Sequence, residues 1–226
     1  EAGEPFTYFW GYKTAGIFQN WDEVNAYTKD GNLIQPDARP GFVRFVDVND
    51  DGVIDDNDRT KIGKGTPDWT FGATLHAEWR GIDFMMFWQG TAGNDIFDAT
   101  RRLDLPSINL PSWFLGRWTG EGTSDKYPIY IQGDATNWQA SDLYVHDGSY
   151  VRLKNIELGY TIPDFLTKKV FISRLRVYAA VENLLTFTKY WGFDPEISSG
   201  SDKSNGVDFG VYPQPRTIRV GCNVTF

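Results

Sequence analysis

The sequence predicts an all-β chain, an antiparallel segment of transmembrane β-barrel with long loops at one end. Three observations lead there. Apolar and polar residues alternate with a period of two in several segments of about ten residues, the length a tilted membrane-crossing strand needs. The connections between these segments are alternately short and long, the asymmetry of an outer-membrane barrel. Nine Trp, eleven Tyr and sixteen Phe occur in 226 residues whose mean hydropathy is −0.41, as expected where aromatic rings girdle a wall with a polar interior.

From the N-terminus, FTYFWGY supplies a first strand, and PGFVRFV reads as extended chain leading into the acidic loop DVNDDGVIDDND at 47–58. The strongest alternation is WTFGATLHAEW, with Trp69, Phe71, Ala73, Leu75, Ala77 and Trp79 on one face and Thr70, Gly72, Thr74, His76 and Glu78 on the other. Arg80-Gly81 is a tight turn, after which Ile82, Phe84, Met86 and Trp88 return on the apolar side. A long outer loop follows at 91–148. In SYVRLKNIELGY the apolar parity switches between Leu153 and Ile156, so a β-bulge near Lys154-Asn155 keeps Val151, Leu153, Ile156, Leu158 and Tyr160 on one face. TIPDFLTKKVFIS is a moderate connection to LRVYAAVE, where Leu175, Val177, Ala179 and Val181 alternate with Arg176, Tyr178, Ala180 and Glu182. A second long connection spans 186–213. RTIRVGCNVTF closes the pattern on Phe226 with Ile218, Val220, Cys222 and Val224. That makes about six strands. On this register Leu75, Phe84, Val177 and Val220 are expected to face lipid, and His76, Glu78, Arg176 and Arg219 a polar lumen.

The loop at 47–58 has the spacing of an EF-hand loop. Asp47, Asn49 and Asp51 fall at positions 1, 3 and 5, Gly52 at the sharp turn of position 6, and the Val53 carbonyl at position 7. Asp55 at position 9 is expected to act through a water and Asp58 closes the loop at position 12, where sensors carry Glu. Oxygen donors at alternate positions suit a hard cation, and a structural Ca2+ is the expectation.

Composition excludes other classes. The formal net charge of −8 argues against a nucleic-acid partner. Cys222 alone allows no internal disulfide and no cysteine-based zinc cluster, and only two histidines occur. No nucleophile elbow, nucleotide loop or clear catalytic carboxylate pair is present, so no enzyme activity is expected. A soluble β-sandwich also alternates apolar and polar residues; the unequal connections and a final strand alternating through to Phe226 favour the barrel.

Taken together, GYKTAGIFQN, PGFVRFVDVNDDGVIDDNDRTKIG, FWQGTAGNDIFD, RWTGEG, DGSYVRLKNIELGYTIP, LRVYAAVENLLTFTKYWGFDPE and YPQPRTIRVGCNVTF resemble the C-terminal portion of SusC/RagA-type TonB-dependent outer-membrane transporters of Bacteroidetes. The resemblance covers residues 1–226. It implies a barrel of about 22 strands with a plugged lumen, of which this chain is the last quarter or so. It further implies a SusD-like surface lipoprotein, energy from the TonB complex, outer-membrane lipid around the wall, extracellular long loops and a periplasmic C-terminus. In such barrels a terminal aromatic like Phe226 resembles the signal read by the assembly machinery. The implied function is uptake of oligosaccharides or peptides, with Trp113, Trp118 and Trp138 in the 91–148 loop as candidate contacts to substrate or lid. The alternatives are a secreted, calcium-stabilised binding or adhesion module with a dockerin-like loop and, more weakly, a glycan-degrading enzyme.

Overall fold

The structure, a computed structural model, describes residues 7–100, 112–131, 134, 136–197 and 204–226. Its strands in chain order are β1 (Tyr8–Gly11), β2 (Thr14–Ile17), β3 (Thr28–Lys29), β4 (Asn32–Leu33), β5 (Val43–Phe45), β6 (Thr60–Lys64), β7 (Trp69–Trp79) and β8 (Ile82–Ala92). They continue with β9 (Asp95–Asp98), β10 (Val145–Asp147), β11 (Tyr150–Thr161), β12 (Arg174–Thr188), β13 (Val207–Asp208) and β14 (Thr217–Thr225). Two compact units result, one comprising 1–65, 96–146 and 199–209, the other 66–95, 147–198 and 210–226.

The second unit is built on one antiparallel sheet in the order β14-β12-β11-β8-β7. The expected bulge is present: the register of β11 shifts against both neighbours between Leu153 and Asn155. The β7–β8 turn places Arg80 at φ 49° and Gly81 at φ 86°, the left-handed pair that a two-residue hairpin requires. Among the described residues this sheet has five strands where about six were expected. FTYFWGY contributes only the four residues of β1, which pair with β6 in the other unit; so short a strand cannot span the eleven-residue β7.

The first unit gathers residues of the long connections around two small cores. Tyr12, Ile17, Val43 and Phe45 form one, and Phe18, Val24, Ala38 and Phe42 the other. Helix α1 (Trp21–Ala26) is opened by Asn20, whose side chain accepts the Glu23 N–H, while the Glu23 carboxylate accepts the Gln19 N–H. Strand β5 pairs with β2, and two buried amide side chains complete its hydrogen bonding. Gln35 donates to the Val43 carbonyl and accepts from the Phe45 N–H, and Asn137 accepts from the Val43 N–H at 2.8 Å. No helix among the described residues is long and apolar enough to cross a membrane, which leaves β-barrel crossing open.

Candidate functional site

Register carries the alternation across the whole sheet. Leu75 lies opposite Met86, Met86 opposite Ile156, Ile156 opposite Val181 and Val181 opposite Ile218, and directly opposed residues share a face. Leu75, Phe84, Val177 and Val220 fall on this face; His76, Glu78, Arg176 and Arg219 fall on the other. The apolar face leaves large side chains exposed on every strand, among them Trp69, Leu75, Trp79, Ile82, Leu158, Val177, Phe187 and Val220.

The opposite face carries ion pairs. The Arg176 guanidinium donates to Asp83 at 2.7 Å and to Glu157 at 2.6 Å, and Arg219 pairs with Glu182 at 2.7 Å. Towards the long connections, Arg152 donates to Asp194 at 2.6 Å, to Glu196 at 2.7 Å and to the Thr186 hydroxyl at 2.9 Å. Lys154, at the bulge, reaches the same Glu196 at 2.8 Å. Asp194 also accepts the N–H groups of Glu196 and Gln214, while Asn183 donates to the Pro215 carbonyl and Arg216 to that of Leu184. The two flanks of the connection between β12 and β14, at 194–196 and 214–216, are therefore strapped to the sheet. Sequence reasoning missed this network because partners about 42 residues apart leave no periodic trace; the only signal was a cation at Arg152 on a polar face.

In the acidic loop, Asx hydrogen bonds set the shape. Asp47 accepts the N–H groups of Asp51 and Gly52, Asn49 that of Asp51, and Asp51 that of Val53. Gly52 has φ 91°, the left-handed conformation expected of position 6. Asp55 caps a short 3₁₀ turn by accepting the Asn57 N–H. Asp58 is fully buried and its two oxygens accept the N–H groups of Val48 and Asp55 at 2.8 Å each. Lys29 is drawn to Asp50, at 2.7 Å, and this hydrogen bond holds its ammonium above the usual lysine range. Among the described residues no three His, Cys, Asp or Glu side chains converge as a metal cluster. The loop's donors are instead a mixed set in which Asn49 and the Val53 carbonyl are neutral. Each carboxylate oxygen that accepts one amide keeps a further lone pair, so this oxygen-only set fits a hard cation in chemistry.

Two of the three candidate tryptophans pack against side chains of the first unit. Trp118 packs against the core of Tyr12, Ile17, Val43 and Phe45 and donates its indole N–H to Gln19 at 3.2 Å. Trp138 stacks on Phe114 and Tyr144, with ring centroids 6.3 and 6.4 Å away. The Trp113 side chain lies outside the described residues.

No protein-family model matches the chain. TonB-dependent receptor P3 of Formosa agariphila is 34% identical over 99% of this chain and 22% of its own length. TonB-dependent receptor SusC of Bacteroides thetaiotaomicron is 26% identical over 90% of this chain and 19% of its own. Among solved structures, a chain of the RagAB peptide importer in its open-open state superposes with a TM-score of 0.70 and 24% identity, covering 100% of this chain and 23% of that one. The chain thus spans about a fifth of these relatives, which are named as receptors and an importer rather than as enzymes. From end to end, it is homologous to the C-terminal part of TonB-dependent receptors of the SusC/RagA kind.

Proposed function

We propose that this chain forms part of the wall and outer segments of an outer-membrane nutrient importer. The observation that carries the reading is the two-faced sheet, exposed and apolar on one side in all five strands and lined with ion pairs on the other. In water such an apolar face has no stable partner; in a bilayer it needs none. Strands β7 and β14 each pair on one side only among the described residues. An open edge is not tolerated in hydrocarbon, so strands from the remainder of the transporter chain close the wall around a plug. The short Arg80-Gly81 turn then faces the periplasm and the long connections the exterior. Oligosaccharides or peptides enter beneath a SusD-like lipoprotein, driven by the TonB complex.

The test is made on the full-length receptor. A closed barrel keeps a fast, compact migration in unheated detergent gels and slows on boiling, and removing the receptor abolishes energy-dependent uptake of its nutrient. Unchanged migration on boiling would overturn the barrel, and undiminished uptake would overturn the importer.

The 47–58 loop, in the same reading, holds a structural Ca2+ through Asp47, Asn49, Asp51, the Val53 carbonyl, Asp58 and, by way of a water, Asp55. Calcium should slow hydrogen exchange at the Asp51 and Gly52 amides, and Asp47→Ala should remove that slowing. Equal exchange in calcium and in chelator would exclude the site.

A further inference from the structure

The first unit holds an open cleft of about 580 Å3, lined by residues 15–17, Gln19, Glu23, Arg44 and the 122–125 turn; small-ligand sites span about 300–1,000 Å3. One amide side chain fixes its shape. Gln19 donates to the carbonyls of Ile17 at 2.9 Å and Ser124 at 3.0 Å, and accepts from the Gly122 N–H at 2.9 Å and the Trp118 indole N–H at 3.2 Å. These bonds use the full capacity of an amide, so Gln19 joins the turn to the wall and leaves recognition to its neighbours.

Three charged groups line the cleft, and among the described residues no ion pair joins Arg44 to either carboxylate. The half-buried Arg44 guanidinium forks onto the Ala15 carbonyl, through Nε at 3.2 Å and Nη2 at 2.8 Å, and lies 5.8 Å from the centroid of the Phe18 ring. It is thus held in place with its Nη1 donors unused by any described residue. Glu23 accepts the Gln19 N–H at 2.9 Å on Oε2 and keeps Oε1 for another donor. The Asp125 carboxylate is exposed and accepts no bond from a described residue. One guanidinium stands against two carboxylates, so a single negative charge is left over.

That balance separates the two nutrient classes. No aromatic ring lines the cleft for a sugar face to stack on, and an anionic sugar would meet two carboxylates. A peptide's α-amino group, whose ordinary pKa is about 7.7–8.0, is an ammonium at neutral pH and supplies the missing positive charge. The carbonyl that follows it is an acceptor for guanidinium N–H groups.

We propose that this cleft binds the amino-terminal end of a short peptide, its ammonium at the Glu23 and Asp125 carboxylates and its first carbonyl oxygen at the Arg44 guanidinium. This rests on the importer reading and narrows its nutrient class to peptides.

The test titrates the full-length receptor in detergent with trialanine, N-acetyl-trialanine and maltotriose by isothermal calorimetry. Wild type should bind trialanine and lose about tenfold or more of that affinity when acetylation removes the charge, with no binding of maltotriose over the same concentrations. Glu23→Gln, which still accepts the Gln19 N–H, and Asp125→Asn, at an exposed side chain, should each weaken trialanine about tenfold while leaving N-acetyl-trialanine unchanged. Equal affinity for the acetylated peptide, variants that bind trialanine as wild type does, or a preference for maltotriose would overturn the cleft. Heat-modifiable migration and trialanine uptake are followed in the same receptors: with both intact, unchanged binding in the variants removes the cleft alone, and with the expected binding pattern but no uptake, the cleft stands and the importer falls.

Discussion

Replacing Asp194 with alanine should release the strap that holds residues 194–196 and 214–216 to the sheet. Asp194 and Arg152 are 4% and 3% exposed, so water cannot replace what either loses. The substitution removes the acceptor for the Arg152 guanidinium and for the Glu196 and Gln214 N–H groups. Arg152 keeps Glu196 at 2.7 Å and Thr186 at 2.9 Å. Truncating one member of a buried pair costs about 3–5 kcal/mol; with a second carboxylate still in place, the lower end, about 3 kcal/mol, is expected. At about 1.4 kcal/mol per factor of ten, local opening becomes roughly a hundredfold more frequent. Hydrogen exchange of the full-length receptor reads this directly, since the Glu196 and Gln214 amides are protected by Asp194 itself. Asp194→Asn, which keeps an acceptor but not the charge, should fall between. If Asp194→Ala leaves both amides as slow as in wild type, the connection is held by something other than this carboxylate.

Gly159→Ala places a methyl group against the Asp83 carboxylate and the Arg176 guanidinium; the ion pair must shift at a cost of about 1–3 kcal/mol, and unfolding of the receptor in denaturant should move accordingly. Asn137→Ala leaves the buried Val43 N–H without its acceptor, a loss of about 1–3 kcal/mol, expected as early protease cleavage of the outer segments with the heat-modifiable wall intact. Leu75→Arg puts a charge on the apolar face and should cost about 2–4 kcal/mol near the bilayer midplane, against about 0–1 near its edge; equal effects of Leu75→Arg and His76→Arg on barrel stability would mean that the two faces are not distinguished by lipid.

Alternation within each strand was legible because a period of two is a local property of the backbone. It located the eleven residues of β7, the Arg80-Gly81 turn and the two faces, and the parity switch in SYVRLKNIELGY located the bulge, since only an extra residue reconciles Leu153 with Ile156. Asp47, Asn49, Asp51 and Gly52 were legible for the same reason: the loop's shape comes from hydrogen bonds between residues no more than five apart. Pairing was not legible. Whether FTYFWGY joined the long sheet depended on which edge its four paired residues could reach, and they found β6. The roles of Gln35 and Asn137 as partners of β5 arise only once β5 lies between them, and Arg152 meets Asp194 only when a connection folds back across the sheet. Strand periodicity is written in neighbouring residues, whereas the contacts of Asn137 and Arg152 depend on loop closure over tens of residues, and only the tertiary structure decides where such a loop comes to rest.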